Sequence, residues 1–223
     1  MEYLRRIIDD ELDDLFWQVP AIAIDGPKAV GKTTTAEQRV DGMLRLDSRA
    51  NRTAVEADPE LIRGRVRPLL IDEWQKVPEV WDVVRRVADE NPTGGQFLLV
   101  GSAAAAPGAT AHSGAGRIGR LRMRPMTLSE RGVTRPVVSL RALLTGTRPP
   151  IGGQCDLRLA DYAEEVLASG FPGLRGLSSR ALRFQLDSYL HNAVDRDVPE
   201  QGLAVRKPEA MLAWLRAYAA ATA

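Results

Sequence analysis

The stretch Gly26-Pro27-Lys28-Ala29-Val30-Gly31-Lys32-Thr33 meets the phosphate-loop pattern G-x-x-x-x-G-K-[ST] without a mismatch. Upstream, Ala21-Ile22-Ala23-Ile24-Asp25 is a short apolar run that reads as a buried strand. Downstream, Thr34-Thr35-Ala36-Glu37-Gln38-Arg39 continues as a helix. Strand, glycine loop and helix form the context that gives the pattern meaning; an ordinary Gly/Lys turn is the plain alternative. Such a loop aims backbone N–H groups at phosphate oxygens, so its side chains must stay clear. Gly26 and Gly31 permit the required angles and the close approach. The helix start adds unpaired N–H groups and a positive dipole end. Pro27, Lys28, Ala29, Val30 and Thr34 complete the cradle, Lys32 reaches the β- and γ-phosphates, and Thr33 offers a hydroxyl to Mg²⁺.

A second signature follows. Pro68-Leu69-Leu70-Ile71-Asp72-Glu73 is an apolar strand that ends in two acids. Asp72 is the candidate Mg²⁺ ligand, and Glu73 the candidate acid that polarises an attacking water. A strand-terminal acid pair at a turn is the alternative. Gln96-Phe97-Leu98-Leu99-Val100-Gly101-Ser102 reads as another buried strand. At the carboxyl edge of an open parallel sheet its last residue faces the ligand crevice. Two readings of Ser102 stay open: contact with the γ-phosphate or the water, or a helix-cap serine.

Between these strands the periodicity predicts helices. Leu4, Ile7, Ile8, Leu12, Leu15 and Phe16 recur at helix spacing over residues 4–18, with Asp9, Asp10, Asp13 and Asp14 on the other side. Met43 to Asp47 reads as a short strand, Ala54 to Arg63 as a helix broken at Asp58-Pro59, and Trp74 to Ala88 as a helix with Val77, Val80, Trp81, Val84 and Val87 inward. Residues 103–116 form a Gly/Ala-rich loop. From Arg117 to Arg135 there are six arginines against one acid, Glu130. Arg120, Arg122 and Arg124 alternate with Leu121 and Met123, as on an edge strand guarded by charge. A nucleic-acid surface is the other reading, and no aromatics are interleaved to stack on bases. Arg117, just past the glycine-rich loop, is a candidate arginine for a neighbouring subunit's site. Residues 138–144 make one more short segment. Thr145 to Gly153 is a Pro/Gly-rich linker, which divides the chain into residues 1–150 and a helical region, 151–223.

Composition sets limits. The chain has 223 residues, 44% of them apolar, and a net charge of +1, so it can bury a core and carries no overall bias toward nucleic acid. Its single cysteine, Cys155, excludes an intramolecular disulfide. His112 and His191 show no metal-ligand spacing. No apolar run approaches membrane-spanning length, and the N-terminus reads as an amphipathic segment and not a signal peptide. A soluble, cytoplasmic protein is the expectation.

With these residues in hand, the chain resembles the bacterial and archaeal AAA-superfamily ATPases that carry a C-terminal domain of unknown function. The matching pieces are residues 26–34, 69–74, 97–102, and 114–118 with Arg122-Met123-Arg124-Pro125. Ser169-Gly170-Phe171-Pro172 and Asp195-Arg196-Asp197-Val198 complete them. The resemblance implies an α/β fold with an open, mostly parallel sheet flanked by helices, followed by a small helical region. It implies ATP binding and hydrolysis with Mg²⁺, with Ser102 at the sensor position. Family members more often carry a threonine where this chain has Val100, and they continue past residue 223. The chain is therefore expected to be a piece of something longer, with homo-oligomers or a protein partner in view. Rival readings are a nucleotide-holding module without turnover, a small-molecule kinase, and a DNA-binding accessory protein. Glu73 beside Asp72 argues against the kinase, which needs no water-activating acid.

Overall fold

The structure is a computed structural model that describes residues 3–101, 114–146, 150–200 and 202–222. In chain order it opens with α1 (Ile7–Leu15), β1 (Ala21–Asp25), α2 (Lys32–Glu37) and β2 (Gly42–Arg45). Next come α3 (Arg49–Ala57), β3 (Leu69–Asp72), α4 (Glu79–Glu90), β4 (Phe97–Gly101) and β5 (Ile118–Arg122). The helical region carries α5 (Leu140–Leu144), α6 (Leu159–Leu167), α7 (Ser179–Asn192), α8 (Val198–Glu200) and α9 (Pro208–Thr222).

The strands form one sheet in the order β2-β3-β4-β1-β5, and every pairing is parallel. Parallel neighbours need crossovers, which place helices on the sheet faces. Strand periodicity then sorts the apolar side chains. Ala21, Ala23, Leu69, Ile71, Phe97 and Leu99 join α3 and α4 through Val55, Val80, Trp81 and Val84. Ile22, Ile24, Leu70, Leu98 and Val100 join α1 and α2 through Leu12, Phe16 and Ala36. Both faces are covered, so the strands read as continuous apolar runs and not as alternations. The fold is that of an α/β P-loop NTPase followed by a small helical region.

Two expectations are corrected. The helix expected over 74–88 is a 3₁₀ turn (Trp74–Lys76) followed by α4. Pro78 disfavours helical backbone at the residue before it, and Val77 is at φ −137°, ψ 80°. The first helix starts at Ile7, and Asp9 is not on a solvent face. It is fully buried, accepts the Arg6 backbone N–H at 2.6 Å, and pairs with Arg39 at 2.7 Å. Leu4 and Ile7, expected inward, are exposed. After α7 the chain stays helical, through a π turn, Ala193–Asp197, into α8.

The helical region is tied back to the sheet domain by polar contacts. Gly170 accepts the Met126 N–H at 2.7 Å, and Arg131 pairs with Glu165 at 2.9 Å. Among the described residues, no helix is long and apolar enough to cross a membrane.

Candidate functional site

The loop after β1 closes where the sheet's carboxyl edge meets α2. Gly31 caps α2 at φ +104°, a backbone region that glycine enters freely. Ala29 also takes a left-handed conformation, φ +62°, which costs a non-glycine residue about 1 kcal/mol or more. At Gly26 the reason is contact: a Cβ there would lie 2.3 Å from the Met123 carbonyl oxygen. The loop therefore runs against the segment that follows β5.

Lys32 is buried and donates to the carbonyls of Gly26 and Pro27 at 2.9 and 2.8 Å. An ammonium has three donors; among the described residues these two carbonyls take two of them. Burial pulls the Lys32 ammonium below its ordinary range, against the opposing pull of the nearby Glu73 and Asp72 carboxylates. Thr33 donates its hydroxyl to Asp72 Oδ1 at 3.1 Å, so loop and β3 meet through two hard oxygen donors. Burial, and then the Glu73 charge, hold the Asp72 carboxyl above the usual range. Glu73 leaves β3 in a left-handed conformation, φ 57°, ψ 41°, and accepts a hydrogen bond from Gln75 at 2.6 Å.

A cavity of about 750 Å³ joins these groups, within the range for a ligand site. Lys28, Lys32, Thr33, Thr34 and Glu73 line it, together with Tyr3, Leu4, Arg6, Met126, Pro172 and Gly173. The structure thus brings Lys32, Thr33, Thr34, Glu73 and the phosphate loop to one cavity, with Asp72 on Thr33. Ser102 lies outside the described residues, as do His112 and residues 147–149 of the expected linker. Arg117 is not part of this crevice. Its cation pairs with Asp89 at 2.5 Å, and it precedes β5 at the end of the sheet where β1 begins. Two other members of the arginine run are also engaged: Arg120 lies over the Trp81 ring at 4.9 Å, and Arg131 is held by Glu165.

Sequence reasoning missed two supports of the loop. Lys28 pairs with Asp197 at 2.5 Å and Glu200 at 3.1 Å. Burial alone would lower the Lys28 ammonium, but the two carboxylates raise it above its ordinary range. Tyr189 donates to the Lys28 carbonyl at 3.4 Å and packs on Phe171, ring centres 5.0 Å apart. The other support is Arg6. It is buried, donates to the carbonyls of Val30 and Arg124 at 2.9 and 2.8 Å, and pairs with Glu130 at 3.0 Å. The run Asp195–Val198 stands out in the sequence, but no spacing rule links it to a loop about 170 residues away.

A phosphate loop after β1, an acid-terminated β3 on the far side of β4, and a five-stranded parallel sheet define the class: a P-loop NTPase. More narrowly, a family model described as an AAA domain matches residues 18–131, over half of the chain, and the chain belongs to that family. Two mycobacterial proteins, both named only as uncharacterized, are similar to it over nearly its whole length. They are Mb2031c of Mycobacterium bovis and Rv2008c of Mycobacterium tuberculosis, each 24% identical over 216 residues. The match covers 94% of this chain and 43% of each relative, so the chain spans less than half the length of the curated relatives it matches. A crystal structure of the FIGL-1 AAA domain in complex with ADP aligns over 96% of this chain and 82% of its own, with 17% identity and a TM-score of 0.38. That likeness is too loose to argue from.

Proposed function

We propose that this chain binds ATP with Mg²⁺ and hydrolyses it. The observation that carries the reading is the convergence of Lys32, Thr33 and Glu73 on one cavity at the carboxyl edge of the sheet, with Asp72 hydrogen-bonded to Thr33. The donor set suits the ion. Mg²⁺ takes oxygen ligands, commonly one or two carboxylates plus substrate phosphates, and Thr33 and Asp72 present a hydroxyl and a carboxylate 3.1 Å apart. When bound, the ion supplies positive charge where the phosphates meet.

The chain's own residues do the rest. The loop's N–H groups and Lys32 hold the β- and γ-phosphates. Glu73 receives the proton of a water whose oxygen forms the new bond to the γ-phosphorus. The bond to the bridging oxygen breaks, and that oxygen leaves with ADP. Catalysis here is positioning and charge neutralisation. We take residues 1–150 as the ATPase domain and 151–223 as a helical cover seated on it through Lys28, Met126 and Arg131. The C-terminal domain implied by the resemblance would be the part that uses the turnover.

The test is phosphate release from Mg-ATP by wild type, Lys32→Ala and Glu73→Gln, with nucleotide affinity measured in parallel. Wild type turns over; Lys32→Ala loses binding and turnover; Glu73→Gln binds ATP but releases no phosphate. Unchanged hydrolysis in Glu73→Gln removes that residue from the mechanism. One observation favours the rival reading, a holding module without turnover: Val100, buried at the end of β4, has no side-chain hydrogen bond to offer the site. That reading predicts tight ATP binding and no release by wild type.

A further inference from the structure

We infer that Gln75 is the positioning residue of the proposed water-activating acid Glu73, and that Gly101 keeps its seat open. The inference rests on the ATPase reading above and adds to it which groups fix the geometry of the acid.

A carboxylate at a strand-to-helix turn has several rotamers, and most of them aim it away from a water beside the γ-phosphate. Here Gln75 donates its Nε2–H to Glu73 Oε2 at 2.6 Å. That bond occupies one carboxylate oxygen and leaves the other to take the proton. The donor is itself held. Its neighbour Trp74 is buried and packs on Trp81 with ring centres 4.7 Å apart, and Val77 is buried two residues on. The 3₁₀ turn is thus fastened on both sides of Gln75.

The other wall of the seat is the end of β4. A Cβ on Gly101 would lie 2.5 Å from Gln75 Oε1, 3.3 Å from Gln75 Cδ and 3.0 Å from Trp74 Nε1. Gly101 is not among the residues with positive φ, so its backbone does not call for glycine. What calls for it is the space the carboxamide fills. Gln75 therefore lies between the Glu73 carboxylate and the last residue of β4. It carries the position of one to the other.

Misplacing a reacting group by about 1 Å costs up to roughly 100-fold in rate, and loss of an orienting partner typically costs about 10–100-fold. Gln75→Ala is accordingly expected to lower kcat by about 10–100-fold, with affinity for a fluorescent ATP analogue within about twofold of wild type. Gly101→Ala should do the same by evicting the carboxamide. The decisive variant is the double one. With Gln75 truncated, the added methyl loses its closest contact and keeps only the 3.0 Å approach to Trp74 Nε1, so Gln75→Ala/Gly101→Ala should be little slower than Gln75→Ala alone. Wild-type kcat in Gln75→Ala overturns the proposal, and so do losses that multiply in the double variant. Analogue binding reports that each variant is folded.

The same cycle, read as thermal unfolding without nucleotide, is independent of turnover. Gly101→Ala should lower Tm more in the wild-type background than in the Gln75→Ala background, where only the Trp74 contact is left; equal shifts in both overturn the shared seat. Wild type that binds ATP and releases no phosphate overturns the catalytic part together with the proposed function. Turnover that is indifferent to Gln75 overturns this inference alone.

Discussion

Replacing Glu130 by alanine tests the buried tie beneath the phosphate loop. The Arg6 and Glu130 side chains are 4% and 8% exposed, and Arg6 Nε lies 3.0 Å from Glu130 Oε1. That oxygen also accepts the Ile7 N–H at 2.8 Å, and Oε2 accepts the Thr127 N–H at 2.7 Å. Truncation leaves a guanidinium buried with two carbonyl partners and no counter-charge. Breaking a buried pair from one side costs about 3–5 kcal/mol. The two orphaned N–H groups lie where water can reach them and add little. Glu130→Gln keeps the shape and one acceptor but loses the charge. It should cost about 1–2 kcal/mol, the gap between charged and neutral hydrogen bonds.

The assay is urea unfolding, read as a midpoint shift at unchanged slope. The pH dependence gives an internal check. Burial pushes the Glu130 carboxyl up, but the Thr127 and Ile7 N–H groups and the Arg6 charge outweigh it and hold the carboxyl below its ordinary range. A carboxyl lowered by folding stabilises the protein above its unfolded pKa, and that stabilisation is lost as pH falls through the folded value. The gap between wild type and Glu130→Ala should therefore be widest at neutral pH and close as pH drops below about 4. A loss under about 1 kcal/mol for Glu130→Ala, or a gap that widens in acid, would refute the reasoning. Because Arg6 also holds the Val30 carbonyl, nucleotide affinity should fall with stability.

Two further perturbations follow from the loop's surroundings. Neutralising its acidic partners with Asp197→Asn and Glu200→Gln removes two negative charges near an anion site. Each is worth about 0.5 kcal/mol through water, so ATP should bind roughly fivefold tighter at low salt, with the gain fading toward 1 M salt; weaker binding in a titration would mean that the acids hold Lys28 in its phosphate-binding pose. Gly26→Ala drives a Cβ into the Met123 carbonyl, backbone against backbone, so an overpacking cost of about 1–3 kcal/mol falls on the loop. Nucleotide affinity should drop by about tenfold while the chain stays folded, and affinity within twofold of wild type would show that the loop yields freely.

The sequence by itself determined what is local. The phosphate loop is eight consecutive residues whose types follow from backbone access to phosphate. The strands around Ile22, Leu70 and Leu98 were legible because a strand buried on both faces is an unbroken apolar run. Asp72 and Glu73 were legible because they end such a run. Periodicity found the inward face of α4 at Val80, Trp81, Val84 and Val87, but not the proline that detaches its first turn.

The tertiary structure decided what depends on which segments meet. Asp9 has the spacing of a solvent-facing acid, yet it is buried because Arg39 and the Arg6 backbone reach it. The placement of β4 between β1 and β3 sets the end of β4 against the acid strand and brings Gly101 to Gln75. The pairing of Lys28 with Asp197 and Glu200, and of Arg6 with Glu130, joins residues more than a hundred positions apart. A side chain's type and its near neighbours state what it can bond to; only the path of the chain through space supplies the partner.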